Sequence, residues 1–266
     1  MISEGARGVC VVLGAGGFRG LAHIGVLRAL HRLGIRVDSI IGVSMGGLLA
    51  SFHAGLGYSL EEIEQRLSVL STSALFGLGR SLYSTNRKGA SSPAVAALRG
   101  ELDRLEGLSL ENLRFGIGKL GLLALDLFTG EEVFAATGEP PPISPGNVVV
   151  GGASIPFLFP WVRGERPGRI YRLVDGGLSH SVPVERALQP PFSASRVIAV
   201  DLQVLRGFRE RNPRRWERLE EENPGRIIRL RPRVDRFGTV FFRAGQASDL
   251  VKAGEAAVLE QSGALC

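Results

Sequence analysis

Near the start of the chain, five apolar residues, Val9-Cys10-Val11-Val12-Leu13, run directly into a glycine-rich turn, Gly14-Ala15-Gly16-Gly17. A short apolar run without alternation is typical of a parallel strand that is buried on both faces. Apolar residues then recur at helical spacing between residues 20 and 33, and Gly34 is a plausible end for a helix. This stretch therefore predicts a strand, a tight turn and a helix.

The same order repeats at once, because residues 39–43 predict a second buried strand and residues 45–54 a buried helix. Further predicted helices are residues 59–68, 93–104 and 244–261, and further predicted strands are residues 120–128, 132–135, 170–174, 197–202 and 226–230. Thr129-Gly130 predicts a hairpin turn. Helices that alternate with short apolar strands predict an α/β fold, with a mostly parallel central sheet and helices on both faces.

The length of 266 residues, with 44% hydrophobic and 22% charged residues, is typical of a globular protein with a sizeable core. We expect a single domain over residues 1–266. Residues 59–112 interrupt the strand and helix pattern with a Ser/Gly-rich stretch, residues 71–92, and are predicted to form an insertion or lid.

Cys10 and Cys266 are the only cysteines, so neither a disulfide framework nor a cysteine-based metal site is expected. This composition favours a reducing compartment. The first residues lack the features of a signal peptide, and the near-apolar run 148–162 contains two prolines and is too short to span a bilayer. The sequence therefore predicts a cytoplasmic protein.

The net charge is +6, and residues 206–236 contain 11 arginines against six acidic residues. Such a segment suits phosphate groups or an anionic membrane surface, which predicts peripheral membrane contact. The alternative is a solvated loop and helix. No nucleic acid partner is expected.

Gly42-Val43-Ser44-Met45-Gly46 fits the pattern Gly-x-Ser-x-Gly, between a predicted strand and a predicted helix. In that turn the serine hydroxyl is exposed at the sheet edge, and a side chain at either glycine, Gly42 or Gly46, would collide with neighbouring backbone. The start of the following helix supplies amide N–H groups close to the hydroxyl. Ser44 is therefore a candidate nucleophile.

The loop Gly14-Ala15-Gly16-Gly17-Phe18-Arg19-Gly20 misses the dinucleotide-binding spacing by one residue, and the chain has no Gly-Lys-Ser or Gly-Lys-Thr for a phosphate-binding loop. Its backbone N–H groups can instead bind a phosphate or the oxyanion of an acyl-transfer intermediate.

An activated serine needs a base, and the chain has only four histidines. His23, His31 and His53 fall in predicted helices, where packing or surface roles are typical, which leaves His180 as the candidate for a triad. The competing base is Asp175, which follows a predicted strand and precedes two glycines that allow close backbone approach.

Four segments, in order, resemble the patatin-like phospholipase family, and together they span nearly the whole chain. They are Gly14-Ala15-Gly16-Gly17-Phe18-Arg19-Gly20 with the helix after it, Gly42-Val43-Ser44-Met45-Gly46, Ala153-Ser154-Ile155-Pro156-Phe157-Leu158-Phe159-Pro160, and Asp175-Gly176-Gly177 with Pro183 beyond.

The resemblance implies a three-layer sandwich and a Ser-Asp dyad, with Ser44 as nucleophile and Asp175 as general base, and without a metal or other cofactor. It also implies an oxyanion hole at Gly16 and Gly17, with Arg19 at the position of the family's basic residue. Two positions depart from the family pattern: Ala15 replaces a usual glycine, and Ser181 replaces a usual asparagine. His180, beside Ser181, is a candidate auxiliary group.

The sequence thus predicts a serine acyl hydrolase for lipid esters, phospholipid or lysophospholipid, whose apolar residues in 71–92 and 148–162 line an acyl channel or touch a membrane. Two alternatives stay open. One is a soluble thioesterase or small-ester hydrolase with the same dyad, and the other is a non-catalytic lipid-binding module in which Ser44 is a turn residue.

Overall fold

The computed structural model describes residues 8–67, 70–83, 92–203, 214–242 and 245–265. Within these residues the strands β1–β8 are Val9–Leu13, Ser39–Val43, Lys119–Asp126, Glu132–Ala136, Val162–Arg166, Arg169–Asp175, Arg196–Val200 and Ile227–Leu230. The helices α1–α10 are Ala22–Arg32, Met45–Ala50, Leu60–Leu67, Thr72–Tyr83, Pro93–Arg104, Pro145–Gly152, Val184–Leu188, Arg215–Glu222, Ala247–Glu260 and Ser262–Leu265. Short 3-10 helices form at Gly17–Leu21, Leu105–Gly107 and Gly176–Leu178, and a π-helical turn, Ser51–Gly55, continues α2.

The central sheet is mixed. Five strands run parallel in the order β3-β2-β1-β7-β8. One edge of β3 pairs with antiparallel β4. The other edge is shared, because β2 pairs with residues 119–123 of β3 and antiparallel β6 pairs with residues 124–126. β5 then forms an antiparallel pair with β6.

Helices cover both faces of the sheet. Val11 and Leu13 of β1 belong to the larger apolar core, which also contains side chains of α1, α2, α6 and α9. Cys10 and Val12 point to the opposite face, where they share a second core with side chains of α7 and α8. The predicted α/β fold with helices on both faces is thereby confirmed as three layers.

Most predicted elements are present with small shifts at their ends, and the hairpin between β3 and β4 is confirmed. Helix α4 is a difference, because it forms within the Ser/Gly-rich stretch. Gly79 of α4 lies so close to the loop after α6 that a Cβ there would be 2.2 Å from the carbonyl oxygen of Leu158. Tertiary packing therefore outweighs the weak helix propensity of this segment. The run 148–162 is divided between the end of α6, a loop and the first residue of β5.

Helices α3, α4 and α5 of the 59–112 segment pack into the main core, since Ile63, Leu78 and Leu98 belong to the same apolar cluster as Leu13. A lid function for this insertion stays a prediction. None of the described helices has the length and apolar character that crossing a membrane requires. Cys10 is buried, whereas Cys266 and residues 204–213 of the arginine-rich segment lie outside the described residues.

Candidate active site

Ser44 occupies a sharp turn between β2 and α2, with φ 56° and ψ −127°. A positive φ is uncommon for serine and costs on the order of 1–3 kcal/mol, so the surrounding structure must hold it in place. The glycines make the turn possible, because a Cβ at Gly46 would be 2.2 Å from the carbonyl oxygen of Leu13 and one at Gly42 would be 2.5 Å from that of Gly46. The predicted nucleophile turn is therefore present in the structure.

Asp175 ends β6, and the strand register brings it to Ser44. Val43, the last residue of β2, pairs with Leu123 of β3, whereas Asp175 pairs with the next residue, Ala124. Strands β2 and β6 thus meet end to end along one edge of β3. The Ser44 hydroxyl donates a 2.6 Å hydrogen bond from Oγ to Oδ2 of Asp175.

The Asp175 carboxylate is buried but has further partners. Its Oδ1 accepts a 2.8 Å hydrogen bond from the Gly177 amide, and its own amide donates to the carbonyl of Ser154 at 3.0 Å. Burial raises the pKa of Asp175 to about 6, and the hydrogen bonds from Ser44 and Gly177 offset part of that rise. The carboxylate is therefore ionised at neutral pH and basic enough to accept a proton.

The Asp175 turn packs tightly against β3 and the glycine loop. A Cβ at Gly176 would be 2.5 Å from the carbonyl oxygen of Leu123, and one at Gly177 would be 2.7 Å from the Ala15 side chain. These two contacts explain why the turn contains Gly-Gly. The base turn and the glycine loop are consequently neighbours in space.

The glycine loop is held by three backbone bonds. The amides of Gly14, Ala15 and Phe18 donate to the carbonyls of Val200, Ser181 and Thr239 at 3.2, 2.8 and 2.8 Å. Within the described part of the chain, the amides of Gly16 and Gly17 donate to no protein acceptor. Both residues line the same cavity as Ser44 and Asp175. Two adjacent free N–H groups beside a nucleophile are suited to an oxyanion.

The backbone conformations of Gly17 and Ala15 fit the residue types at these two positions of the loop. Gly17 has φ +52°, and a Cβ there would be 2.4 Å from the Thr239 carbonyl oxygen. Ala15 does not adopt a positive φ, so its methyl group causes no backbone strain where the family has a glycine.

The structure places Arg19 differently from the oxyanion-hole assignment. Its guanidinium donates to three backbone carbonyls, those of Phe237, Gln203 and Asp235, at 2.6, 2.9 and 3.0 Å. Arg19 is buried and does not line either cavity beside Ser44. It therefore fixes the glycine loop to the segments around residues 203 and 235–237.

His23 supports the same loop. It is fully buried in α1, and its Nε2 lies 2.8 Å from the Gly14 carbonyl oxygen. Burial lowers its pKa to about 4, so the ring is neutral and Nε2 carries the proton that this carbonyl accepts. The sequence alone does not distinguish a histidine that makes this hydrogen bond from one that only packs within a helix.

His180 does not contact Ser44 or Asp175. Its Nδ1 bonds instead to Glu132 of β4, whose other oxygen accepts a 3.0 Å bond from Arg186. The bond to Glu132 raises the pKa of His180. Burial would raise the pKa of Glu132, but the bonds from His180 and Arg186 lower it to about 2. The structure thus gives His180 a place in an ion-pair cluster beside the Asp175 turn.

Two apolar cavities adjoin Ser44. The larger, about 850 Å³ including its opening to solvent, is enclosed mainly by leucines of α3, α4 and α5 and by the loop after α6. The smaller, about 490 Å³, lies towards Asp175 and is lined by the glycine loop, Pro156 and Leu178. Ser44, Gly17 and Val240 line both. The hydroxyl therefore lies where a hydrocarbon chain and an ester group can be held together.

Among the described residues, no group of three or more His, Cys, Asp or Glu side chains is arranged to hold a metal ion. The groups that the structure brings together at this site are the serine, the carboxylate and the backbone amides.

Fold and site together define an α/β protein with a serine on a strand-to-helix turn, a buried carboxylate at 2.6 Å and an apolar cavity beside them. The family model for patatin-like phospholipases matches residues 11–188. The chain belongs to the patatin-like phospholipase family.

Known proteins agree with this membership. "Lysophospholipase nte1" of Aspergillus fumigatus is 50% identical over 48 residues, which are 18% of this chain and 3% of that protein. A "patatin-like phospholipase domain-containing protein" of Caenorhabditis elegans is 54% identical over 44 residues, 16% of this chain and 3% of that protein. These curated relatives are far longer than the segments they share with this chain. The solved structure of VipD from Legionella pneumophila has the same fold, with a TM-score of 0.55, 14% identity, and coverage of 99% of this chain and 67% of that one.

Proposed function

We propose that the protein is a serine acyl hydrolase that cleaves carboxylic esters of lipids, with Ser44 as nucleophile and Asp175 as general base. The observation that carries this proposal is the 2.6 Å hydrogen bond from Ser44 Oγ to Asp175 Oδ2 at the opening of an apolar cavity. Family membership and the similarity to a lysophospholipase support a phospholipid or lysophospholipid as the substrate.

In the first half of the reaction, Asp175 accepts the hydroxyl proton while Ser44 Oγ attacks the ester carbonyl carbon. The carbonyl oxygen becomes an oxyanion and accepts hydrogen bonds from the amides of Gly16 and Gly17. The intermediate then expels the alcohol, which takes the proton from Asp175 and leaves the acyl group on Ser44.

In the second half, water attacks the acyl carbon and gives its proton to Asp175. The same two amides stabilise the second oxyanion. Collapse of this intermediate releases the fatty acid, and the proton on Asp175 returns to Ser44 Oγ. Atoms and charges balance without any cofactor.

The larger cavity favours a long acyl chain over a small ester or a small thioester. Leu75, Leu78 and Leu98 come from three separate turns of α4 and α5, so the enclosed surface extends well beyond what an acetyl group would contact. A non-catalytic lipid-binding module would use the same cavity but gives no role to the Ser44 to Asp175 bond.

Peripheral membrane contact and a cytoplasmic location belong to this proposal. The scarcity of cysteine supports a reducing compartment. Several arginines of the 206–236 segment form ion pairs within this chain. Arg215 pairs with Glu185, Arg229 and Arg231 pair with Asp201, and Arg233 pairs with Glu260. These ion pairs partly neutralise the positive charge that the segment could offer to an anionic lipid.

The test is hydrolysis of p-nitrophenyl esters with two to sixteen acyl carbons, followed by phospholipid and lysophospholipid. Ser44→Ala should abolish hydrolysis, whereas Ser51→Ala, a second buried serine away from the cavity, should retain it. Leu75→Trp should reduce kcat/KM for the longest esters about tenfold more than for the acetate. Activity that survives Ser44→Ala would refute the proposed nucleophile.

A further inference from the structure

Three phenylalanines are exposed on segments whose neighbouring residues line the cavities beside Ser44. Phe157 is 101% exposed, Phe241 73% and Phe76 43%. The rings of Phe76 and Phe241 are neighbours, with centroids 6.0 Å apart. We call Phe76, Phe157 and Phe241 the aromatic rim.

Chain neighbours of these residues line the cavities. Phe157 stands between Pro156, which lines the smaller cavity, and Leu158, which lines the larger one. Val240, directly before Phe241, lines both. The rim residues themselves line neither, so they project outward from the walls of the opening.

The three segments that carry the rim are in contact with one another. Thr72 Oγ1, at the start of α4, lies 3.2 and 2.9 Å from the carbonyls of Val240 and Phe242. Farther along α4, Gly79 meets the carbonyl oxygen of Leu158. The three rim residues therefore lie on segments that pack against one another beside the cavities.

The conformation of Phe157 is costly without a partner. Its φ of +70° is unfavourable for a bulky L-residue, and its ring is fully in water. Both costs are tolerated beside the opening of an apolar cavity. Clustered exposed aromatics of this kind mark an interaction surface.

A second aromatic pair lies at the same end of the strands as Ser44. The β3 strand continues for residues 124–126 beyond the level of Val43, and Phe128 follows in the turn to β4. Phe128 and Trp161 both lie against the Arg172 guanidinium, at 4.8 and 5.7 Å. Tryptophan is among the residues enriched at membrane–water interfaces, because its ring is apolar and its N–H is polar.

We propose that the aromatic rim inserts into the apolar boundary of a lipid bilayer, so that the cavity beside Ser44 opens directly to the membrane. This inference rests on the proposed function, because a lipid ester then enters without crossing water. A bilayer fits better than a protein partner, since the segments that carry the rim also line cavities whose walls are mainly apolar, where a lipid chain can be held. Because the rim is uncharged, binding should need no anionic lipid and should depend little on salt.

The test is sedimentation with vesicles of ether-linked phosphatidylcholine, which is zwitterionic and has no ester to cleave, at 0.1 and 0.5 M NaCl. We expect wild-type protein to bind with similar affinity at both salt concentrations. Phe157→Ser should weaken binding about tenfold, and the triple variant with Phe76→Ser and Phe241→Ser at least about a hundredfold.

Phe115→Ser is the matched control, because Phe115 is also exposed, has φ +55° and precedes β3 at the opposite end of the sheet. It should bind vesicles as wild type does, and thermal midpoints should show that all variants are folded. Binding lost equally in Phe115→Ser, or binding unchanged in the triple variant, would overturn the inference.

Separate outcomes distinguish this inference from the proposed function. Ser44→Ala should bind the ether-lipid vesicles as wild type does, although it hydrolyses nothing. Wild-type protein that hydrolyses soluble esters but ignores the vesicles would overturn the rim inference alone. Vesicle binding without any esterase activity would overturn the proposed function alone. Concentration-dependent self-association that Phe157→Ser abolishes, without vesicle binding, would make the rim a dimer contact instead.

Discussion

The backbone amide of Ala15 donates a 2.8 Å hydrogen bond to the carbonyl oxygen of Ser181. Ala15 belongs to the glycine loop, and Ser181 follows the turn that holds Asp175. The proposed oxyanion donors and the proposed base are therefore joined through backbone, independently of any side chain. A change that displaces one loop should displace the other.

Gly17→Ala should reduce kcat for a p-nitrophenyl ester by about a hundredfold, a loss typical of removing one oxyanion donor. The added methyl group meets the Thr239 carbonyl, and φ +52° disfavours alanine. Gly100→Ala in α5 is the control, because its Cβ meets nothing within 4 Å and helical Gly→Ala is stabilising. Unchanged kcat in Gly17→Ala would argue against an oxyanion role for this loop.

The pH dependence should follow the ionisation of Asp175. Because burial raises its pKa to about 6, kcat/KM for a neutral ester should rise with pH through an apparent pKa near that value and then level off. Stopped-flow or steady-state rates between pH 4.5 and 9 measure this profile. A rate governed by a pKa that disappears in His180→Ala would indicate a histidine base instead.

Asp175→Asn should stabilise the fold at pH 8 while abolishing hydrolysis. A carboxyl whose folded pKa is raised from 3.8 to about 6 favours its protonated form, so the native state loses stability as pH rises through that interval. Asparagine removes this cost, of roughly 3 kcal/mol, and retains groups for both hydrogen bonds. Urea unfolding at pH 8 should show the gain, and at pH 3.5 the gain should vanish. An equal gain at both pH values would contradict the ionisation argument.

His180→Ala should retain at least about a third of wild-type kcat/KM, because His180 bonds to Glu132 rather than to the dyad. Its thermal midpoint should decrease slightly, since the cluster with Glu132 and Arg186 is lost. Asp175→Ala, assayed beside it, should lose more than about a thousandfold. Equal losses in the two variants would restore the triad hypothesis.

Local signals made much of the fold predictable. Strand β2 was predicted at its observed ends because it is a short apolar run. The helix 93–104 coincides with α5, which begins at Pro93 after the Ser92 cap. Helix α4 was not predicted. Its Gly77 and Gly79 are weak helix formers, and only packing against Val95 and Leu158 favours them there.

The candidate site divides in the same way. Ser44 was identifiable as a candidate because it follows a strand and lies between Gly42 and Gly46. The residues alone left Asp175 and His180 open as the base, and the family resemblance favoured Asp175. Arg19 and Glu132 act through contacts to residues far away in the chain, such as Phe237 and His180. Such contacts arise from how the loops meet above the sheet, so no short sequence pattern encodes them.

Strands β2 and β6 abut on β3, which makes the spacing between serine and carboxylate a property of strand register. Seven of the nine leucines that line the larger cavity come from residues 60–104, and the described residues of that range form no strand. The residues proposed to break the ester bond and those proposed to select the acyl chain therefore lie in separate stretches of the sequence. An exchanged insertion can change which chain length fits while the dyad keeps its distance, so the architecture is modular.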